Sequence, residues 1–198
     1  VRQIENQNLH ALNIPELTII TPAALQTEAE RVAQLHREEG LTVAVIEQEK
    51  IFNEFSSGTP DASAYRRLMK MFYDRAEGNE NVRPRYLLLF GDGSYNNRKS
   101  MEKLHSPECN MLLTYQSKTS IDERESFVIE DYFGFLEDNS GEEIKVDKVC
   151  LGIGRFPISS IKNARLVVDK LYRYVHDKDF SSWKNNICIA ADDGDGAI

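Results

Sequence analysis

The sequence predicts an α/β fold, a mostly parallel sheet flanked by helices, and three observations carry that prediction. Strand and helix patterns alternate from Leu17 to Phe90, the signature of a sheet wound by crossover helices. Tyr86 to Phe90 is a continuous apolar run bounded by Pro84 and Gly91, as expected of a central strand covered on both faces. Between these features, Tyr65, Leu68, Met69, Phe72 and Ala76 recur at i, i+3, i+4, i+7 and i+11, an apolar stripe that packs a helix on a sheet.

The elements follow in order. Leu17 to Ile20 reads as a strand, and Thr21-Pro22 then offers an N-cap and a first-turn proline for a helix running to about Glu39. Gly40 closes that helix as its C′ residue. Leu41 to Ile46 reads as a second strand and Glu47 to Phe55 as a short helix, ended by the breakers Ser56-Ser57-Gly58-Thr59-Pro60. Asp61 caps the striped helix. After the apolar run at Tyr86, Gly91 to Asp147 is polar, with short apolar pieces at Met111 to Tyr115 and Phe127 to Phe135, and reads as a functional insertion or small β excursion. Regularity returns with a strand at Val149 to Ile153 and a helix capped by Ser159 or Ser160, whose Ile161, Ala164, Val168, Leu171 and Val175 form one face. A last strand is predicted at Ile187 to Ala191, opening into the acidic glycine loop Asp192-Asp193-Gly194-Asp195-Gly196. Ligands and catalytic groups of open parallel sheets gather at such strand ends, so the chain is expected to stop at an active-site edge with more machinery beyond it.

Composition narrows the function classes. With 41% hydrophobic residues the chain can bury a sizeable core. Its 32 acidic against 24 basic side chains give a net charge of −8, and no Lys/Arg run offers a counterion-releasing surface, which disfavours nucleic acid. No apolar run reaches the roughly 20 residues that span a bilayer. Val1 to Asn13 has neither a basic nor an apolar region of a signal peptide, so any export signal is expected outside this sequence. Cys109, Cys150 and Cys188 are odd in number and lack CxxC spacing, against a disulfide framework or zinc cluster. Cys150 and Cys188 sit in apolar runs and are expected to be buried as small hydrophobes.

The residues bear on three chemistries. Gly91-Asp92-Gly93-Ser94 follows a strand, but it is not GxGxxG or a P-loop, and a carboxylate between the glycines repels phosphate. His105 and Cys109 could pair as base and nucleophile, yet Pro107 opposes the helical turn that would bring them together. His10, His36 and His176 show no metal-ligand spacing. The carboxylates Asp92, Asp131, Glu137, Asp138, Asp147, Asp192, Asp193 and Asp195 fall largely at strand ends or in adjoining loops. Carboxylates among backbone carbonyls suit a hard cation such as Ca²⁺.

Several segments, taken together and in order, resemble the gingipain-type cysteine peptidases, and most closely the type IX secretion sortases within that family. They are Tyr86 to Tyr95, Asp131-Tyr132-Phe133-Gly134, Gly152-Ile153-Gly154-Arg155-Phe156-Pro157, Val168-Asp169-Lys170 with Tyr174, and Ile189-Ala190-Ala191-Asp192-Asp193-Gly194. The agreement runs over about Leu17 to Gly196. The resemblance implies that residues 1–16 are a lead-in and 17–198 the first subdomain of a caspase-like catalytic domain. The catalytic His and nucleophilic Cys would lie in a second subdomain of the same polypeptide, so none of the histidines or cysteines here is assigned to catalysis. It also implies that Asp193 is the acidic residue that orients the catalytic His, with Asp192 its near neighbour. Calcium is implied as a structural cofactor, held by Asp92, by Asp138 and by an acidic position displaced here to Asp147.

The implied activity is cleavage or transpeptidation of protein substrates, specifically the processing of C-terminal sorting signals of secreted proteins at the bacterial cell surface. This stretch alone is expected to be inactive. The alternative is a non-catalytic α/β interaction module.

Overall fold

The computed structural model describes residues 4, 6–106, 108–119, 121–143, 146–179 and 181–190. Four strands, β1 (Leu17–Thr21), β2 (Val43–Glu47), β3 (Tyr86–Phe90) and β4 (Gly152–Phe156), form one sheet in the order β2-β1-β3-β4. All three pairings are parallel, with Ile20 opposite both Ile46 and Leu89, and Leu88 opposite Gly154. The predicted α/β class is therefore the observed one.

Alternation along each strand divides the core into two layers. Leu17, Ile19 and Phe90 turn toward helices α1 (Gln26–Glu38) and α5 (Ile161–His176), where they meet Val32, Ala33, Ala164 and Val168. Ile20, Ile46, Leu87 and Leu89 turn the other way, toward α2 (Gln48–Phe55), α3 (Ser63–Arg75) and the 3₁₀ turn Asp131–Gly134; the short α4 (Asn97–Met101) follows β3. The α3 stripe does what its spacing predicts: Tyr65, Leu68, Met69 and Phe72 are fully buried, as is nearly all of Ala76. Each large side chain so buried contributes about 1.5–3 kcal/mol. The cap position of α3 is Ala62 rather than the predicted Asp61, which stands one residue earlier and still accepts the Ser63 amide through its Oδ1 at 2.8 Å. Gly40 has φ +97°, the left-handed conformation its C′ role requires.

The strand order reverses at β1, since β2 lies on one side of it and β3 on the other. Ligand crevices of open parallel sheets form at such a reversal, beyond the carboxyl ends of the strands. Here the Thr21 hydroxyl donates to the Phe90 carbonyl at 3.2 Å, tying the two strand ends together.

Several expectations need correction. Thr21 is the last residue of β1 rather than an N-cap; a 3₁₀ turn at Ala23–Leu25 leads into α1 instead. In-register pairing with Glu47 of β2 holds Thr21 extended and delays the helix. The fourth strand begins at Gly152, not Val149, because its register against β3 starts with Tyr86 opposite Gly152. Ser160 is the cap of α5, its side chain accepting the Asn163 amide, but Ile161 and Val175 at the ends of the predicted face are exposed. No strand forms over 187–190, where Ile187 and Ile189 are more than four-fifths exposed. A strand needs a neighbour to take its hydrogen bonds, and none of the described strands pairs with this run. Cys188 is consequently exposed and Cys150 half-buried, against the expectation for both.

Residues 7–10 are fastened to α2. The Glu54 carboxylate accepts the amides of Leu9 and His10 and the side-chain amide of Gln7. Burial alone would raise its pKa, but the Leu9 amide, then Gln7 and the His10 amide, outweigh it and hold the carboxyl below the usual range. A depressed folded-state pKa means the contribution is present above the free carboxyl value of about 4.3 and lost as pH falls through the folded value. Protection of the Leu9 amide from hydrogen exchange is therefore expected to disappear on acidification below about pH 4, before the α3 amides open. Unchanged Leu9 protection through that range would show that Glu54 does not hold the segment.

Candidate functional site

A polar cluster centred on Arg155 and Glu130 lies at the carboxyl edge of the sheet, where the chain leaves β3 and β4. After Phe90 the backbone runs through Gly91-Asp92-Gly93, and a strap at Asn110–Thr114 lies alongside it. The Asp92 amide donates to the Asn110 carbonyl and the Leu112 amide to the Asp92 carbonyl, both at 2.8 Å. A side chain at position 93 would not fit, since a Cβ there would lie 2.9 Å from Thr114 Cγ2 and 3.3 Å from Arg155 Cζ.

Arg155 is the hub. On β4, Ile153 and Arg155 share the face opposite Gly154 and Phe156, so the strand sends a guanidinium into the α3 side of the core. Only 12% of its side chain is exposed. Burying such a charge is costly unless it is paired and hydrogen-bonded. Its Nε donates to Glu130 Oε1 at 2.7 Å and Nη2 to Glu130 Oε2 at 3.1 Å, the two-pronged pairing that guanidinium planarity favours. Nη1 reaches the carbonyls of Gly91 at 3.3 Å and Asp92 at 3.2 Å, and Nη2 the carbonyl of Leu113 at 3.1 Å. The five N–H donors of the group thus have five oxygen partners on three separate segments.

A second polar network fixes the strap from the helical side. The Tyr65 hydroxyl donates to Gln48 Oε1 at 2.7 Å and accepts the Leu113 amide at 3.3 Å, while Gln48 Nε2 donates to the Met111 carbonyl at 2.8 Å. Complete burial pushes the Tyr65 phenol well above its ordinary pKa, so it remains a neutral donor. Tyr65→Phe leaves the Leu113 amide and the Gln48 carbonyl oxygen without this partner, and is expected to cost about 1–3 kcal/mol in denaturant unfolding. A cost indistinguishable from zero would mean that water replaces the hydroxyl.

A groove of about 600 Å³ lies at the opposite, amino-terminal side of the strands, lined by Val32, His36, Arg85, Leu88, Gly154 and Phe156 among others. It is mainly apolar and lies on the α1 and α5 face of the sheet, opposite the face that carries Arg155.

The family model for peptidase family C25 matches residues 10–198. The chain belongs to that family. Among solved structures it is similar to dimeric latent PorU from Porphyromonas gingivalis, at 43% identity and TM-score 0.80, covering 94% of this chain and 18% of that one. A second structure, titled "Structure of Protease", shares the fold at 11% identity and TM-score 0.53, covering 80% of this chain and 27% of that one. No curated protein matches. This C25 chain therefore spans under a fifth of the length of the PorU chain it matches.

Within this C25 chain the predicted site residues fare differently. Asp193, the expected orienting carboxylate, lies outside the described residues, as do Asp192 and Asp195. Asp92 does stand at the carboxyl end of β3, with its Oδ1 accepting the Gly93 amide at 2.9 Å. Asp138 is exposed and bound to Lys70 at 2.7 Å, and that ammonium holds its carboxyl below the usual range. Asp147 turns its Oδ2 to the amides of Gly141 at 2.6 Å and Glu143 at 3.2 Å. Each thus has its own protein partner, and no group of three or more His, Cys, Asp or Glu side chains placed to hold a metal occurs among the described residues. The three carboxylates do not assemble into the cage that calcium needs, with its six to eight oxygens.

The cysteine and histidine readings fall out plainly. His105 faces Glu49 at 3.4 Å, whereas Cys109 is buried with its Sγ toward the Met111 carbonyl. Burial pushes the Cys109 thiol up, the opposite of what activates a nucleophile. What sequence reasoning missed is the pairing of Arg155 with Glu130. Its signal was present: a charged residue inside an apolar strand, on the face that the period-two pattern sends inward.

Proposed function

We propose that the full-length protein carrying this chain is a cysteine endopeptidase or transpeptidase of the type IX secretion sortase kind, processing C-terminal sorting signals of secreted proteins at the bacterial surface. The observation that carries the proposal is the 43% identity to PorU across 94% of the chain, together with the family match over residues 10–198. In this reading the thiolate attacks the peptide carbonyl and an imidazole moves the proton, both supplied by a second subdomain of the same polypeptide. Asp193 orients that imidazole, and this stretch alone is inactive.

The surface agrees with a partner supplied by the same polypeptide. Leu166, Tyr174 and Val175 on α5 are exposed, as are Trp183, Ile187 and Ile189 beyond it, and most of the matched PorU chain lies outside the aligned region. We assign these exposed apolar side chains to contact with the remainder of the polypeptide. No helix of the described residues is long and apolar enough to cross a membrane.

The test uses the full-length protein and a peptide ending in a C-terminal sorting signal from a cargo protein, with products followed by mass spectrometry. Cleavage that is abolished by thiol alkylation and retained by Cys109→Ser supports the proposal. Turnover indifferent to alkylation, or lost specifically with Cys109→Ser in a folded protein, would overturn it.

A further inference from the structure

We infer that the Arg155 guanidinium is the structural cation of the carboxyl edge, filling the oxygen cage formed by Glu130 and the carbonyls of Gly91, Asp92 and Leu113, so that these loops are ordered without calcium.

The resemblance to gingipain-type peptidases placed a calcium ion near Asp92, and the oxygens at this edge are of the type that hard cations bind. They are already engaged. Carbonyls from the segment after β3 and from the strap converge with a carboxylate on one positive group, and all five contacts lie between 2.7 and 3.3 Å. The charge within the cage balances, one carboxylate against one guanidinium. A divalent ion would have to displace a guanidinium anchored in β4 and give up the two-pronged pairing with Glu130, or else sit against it and be repelled. The other two carboxylates named for the metal point elsewhere, Asp138 to Lys70 and Asp147 to the backbone of its own loop. Close approach adds to the fit, because the space that a side chain at position 93 would take is filled in part by Arg155 Cζ at 3.3 Å.

Arg155 is in this account a positioning residue. Backbone bonds join these segments only in pairs, Asp92 with Asn110 and Leu112, and Ile129 with Tyr115, whereas the guanidinium touches all three at once. Its planar fork matters as much as its charge, since an ammonium cannot serve both carboxylate oxygens and three carbonyls in fixed directions. The inference is independent of the peptidase reading, because it concerns only how the edge is held.

The experiment is hydrogen exchange read by mass spectrometry on the full-length protein, comparing peptides over Gly91–Ser94 and Asn110–Thr114 with β1 as internal control. In the unsubstituted protein, millimolar Ca²⁺ or a chelator is expected to leave exchange in both peptides unchanged. Arg155→Ala is expected to speed it by about 100-fold there, with β1 unaffected, and Arg155→Lys to fall between. Added guanidinium ion at sub-denaturing concentration is expected to slow exchange in Arg155→Ala, whereas urea at the same concentration does not. If Arg155→Ala does not fold, Glu130→Gln, which keeps the shape and removes the charge, is expected to open the same two peptides. Slowing of exchange by Ca²⁺ in the unsubstituted protein, faster exchange with chelator, or wild-type exchange in the alanine and glutamine variants would overturn the inference. So would equal effects of guanidinium and urea on Arg155→Ala.

Discussion

Replacing Asp193 by asparagine in the full-length protein is expected to lower kcat for peptide cleavage by about 10⁴-fold with KM nearly unchanged. The chemistry behind the size of the effect is specific. A carboxylate that accepts the imidazole N–H fixes the tautomer that leaves the other ring nitrogen free to take the thiol proton, and it stabilises the imidazolium that forms. An amide of the same shape can present its N–H₂ instead, hold the wrong tautomer and still leave substrate contacts intact. Asp192→Asn serves as the control, expected to change kcat by less than about tenfold because a neighbouring carboxylate acts only through its field. Reversal of the two effects would move the role to Asp192. Full activity in both variants would remove the orienting carboxylate from this part of the chain altogether.

The features legible in the sequence are those set by short-range pattern. The helix stripe from Tyr65 to Ala76 and the apolar run of β3 announce their burial because each element's own period carries the information, and the comparison with PorU agrees with the class they imply. Features set by a distant neighbour were less legible. Ile187 to Ala191 has the composition of a strand, yet 187–190 has no described strand beside it and stays exposed. The start of β4 differs from the expected Val149 for a related reason, since Gly152 and Gly154 weaken the apolar pattern while the register with Tyr86 and Leu88 fixes the boundary. At the site, Arg155 could be recognised as an inward charge, but its partner Glu130 lies 25 residues away in a segment without periodicity. The strand-end carboxylates share only similar positions in the sequence. In three dimensions an arginine, and not those carboxylates, gathers the loops.

Phe133→Ala is expected to cost about 3–5 kcal/mol of unfolding free energy, among the largest effects of any single substitution in this chain. Phe133 is fully buried, with its ring 5.6 Å from Tyr65 and 5.8 Å from Tyr132, so truncation leaves a cavity between the 3₁₀ turn and α3. The backbone cannot easily collapse into that space. The Phe135 carbonyl is held by Arg66 at 2.7 Å and the Gly134 carbonyl by the Cys150 amide at 2.8 Å. A Cβ at Gly134 would already stand 2.8 Å from Ile153 and Val149 atoms, so the turn is pressed against the strand that carries Arg155. Glu130 enters this same turn, and its grip on Arg155 depends on where the turn sits. The cavity and the ion pair should therefore not be energetically independent. Combining Phe133→Ala with Arg155→Ala is expected to cost less than the sum of the two single changes, by at least about 0.5 kcal/mol. Strict additivity in denaturant unfolding would show that the turn holds Glu130 in place without its aromatic anchor, and that the core and the carboxyl edge are built as separate units.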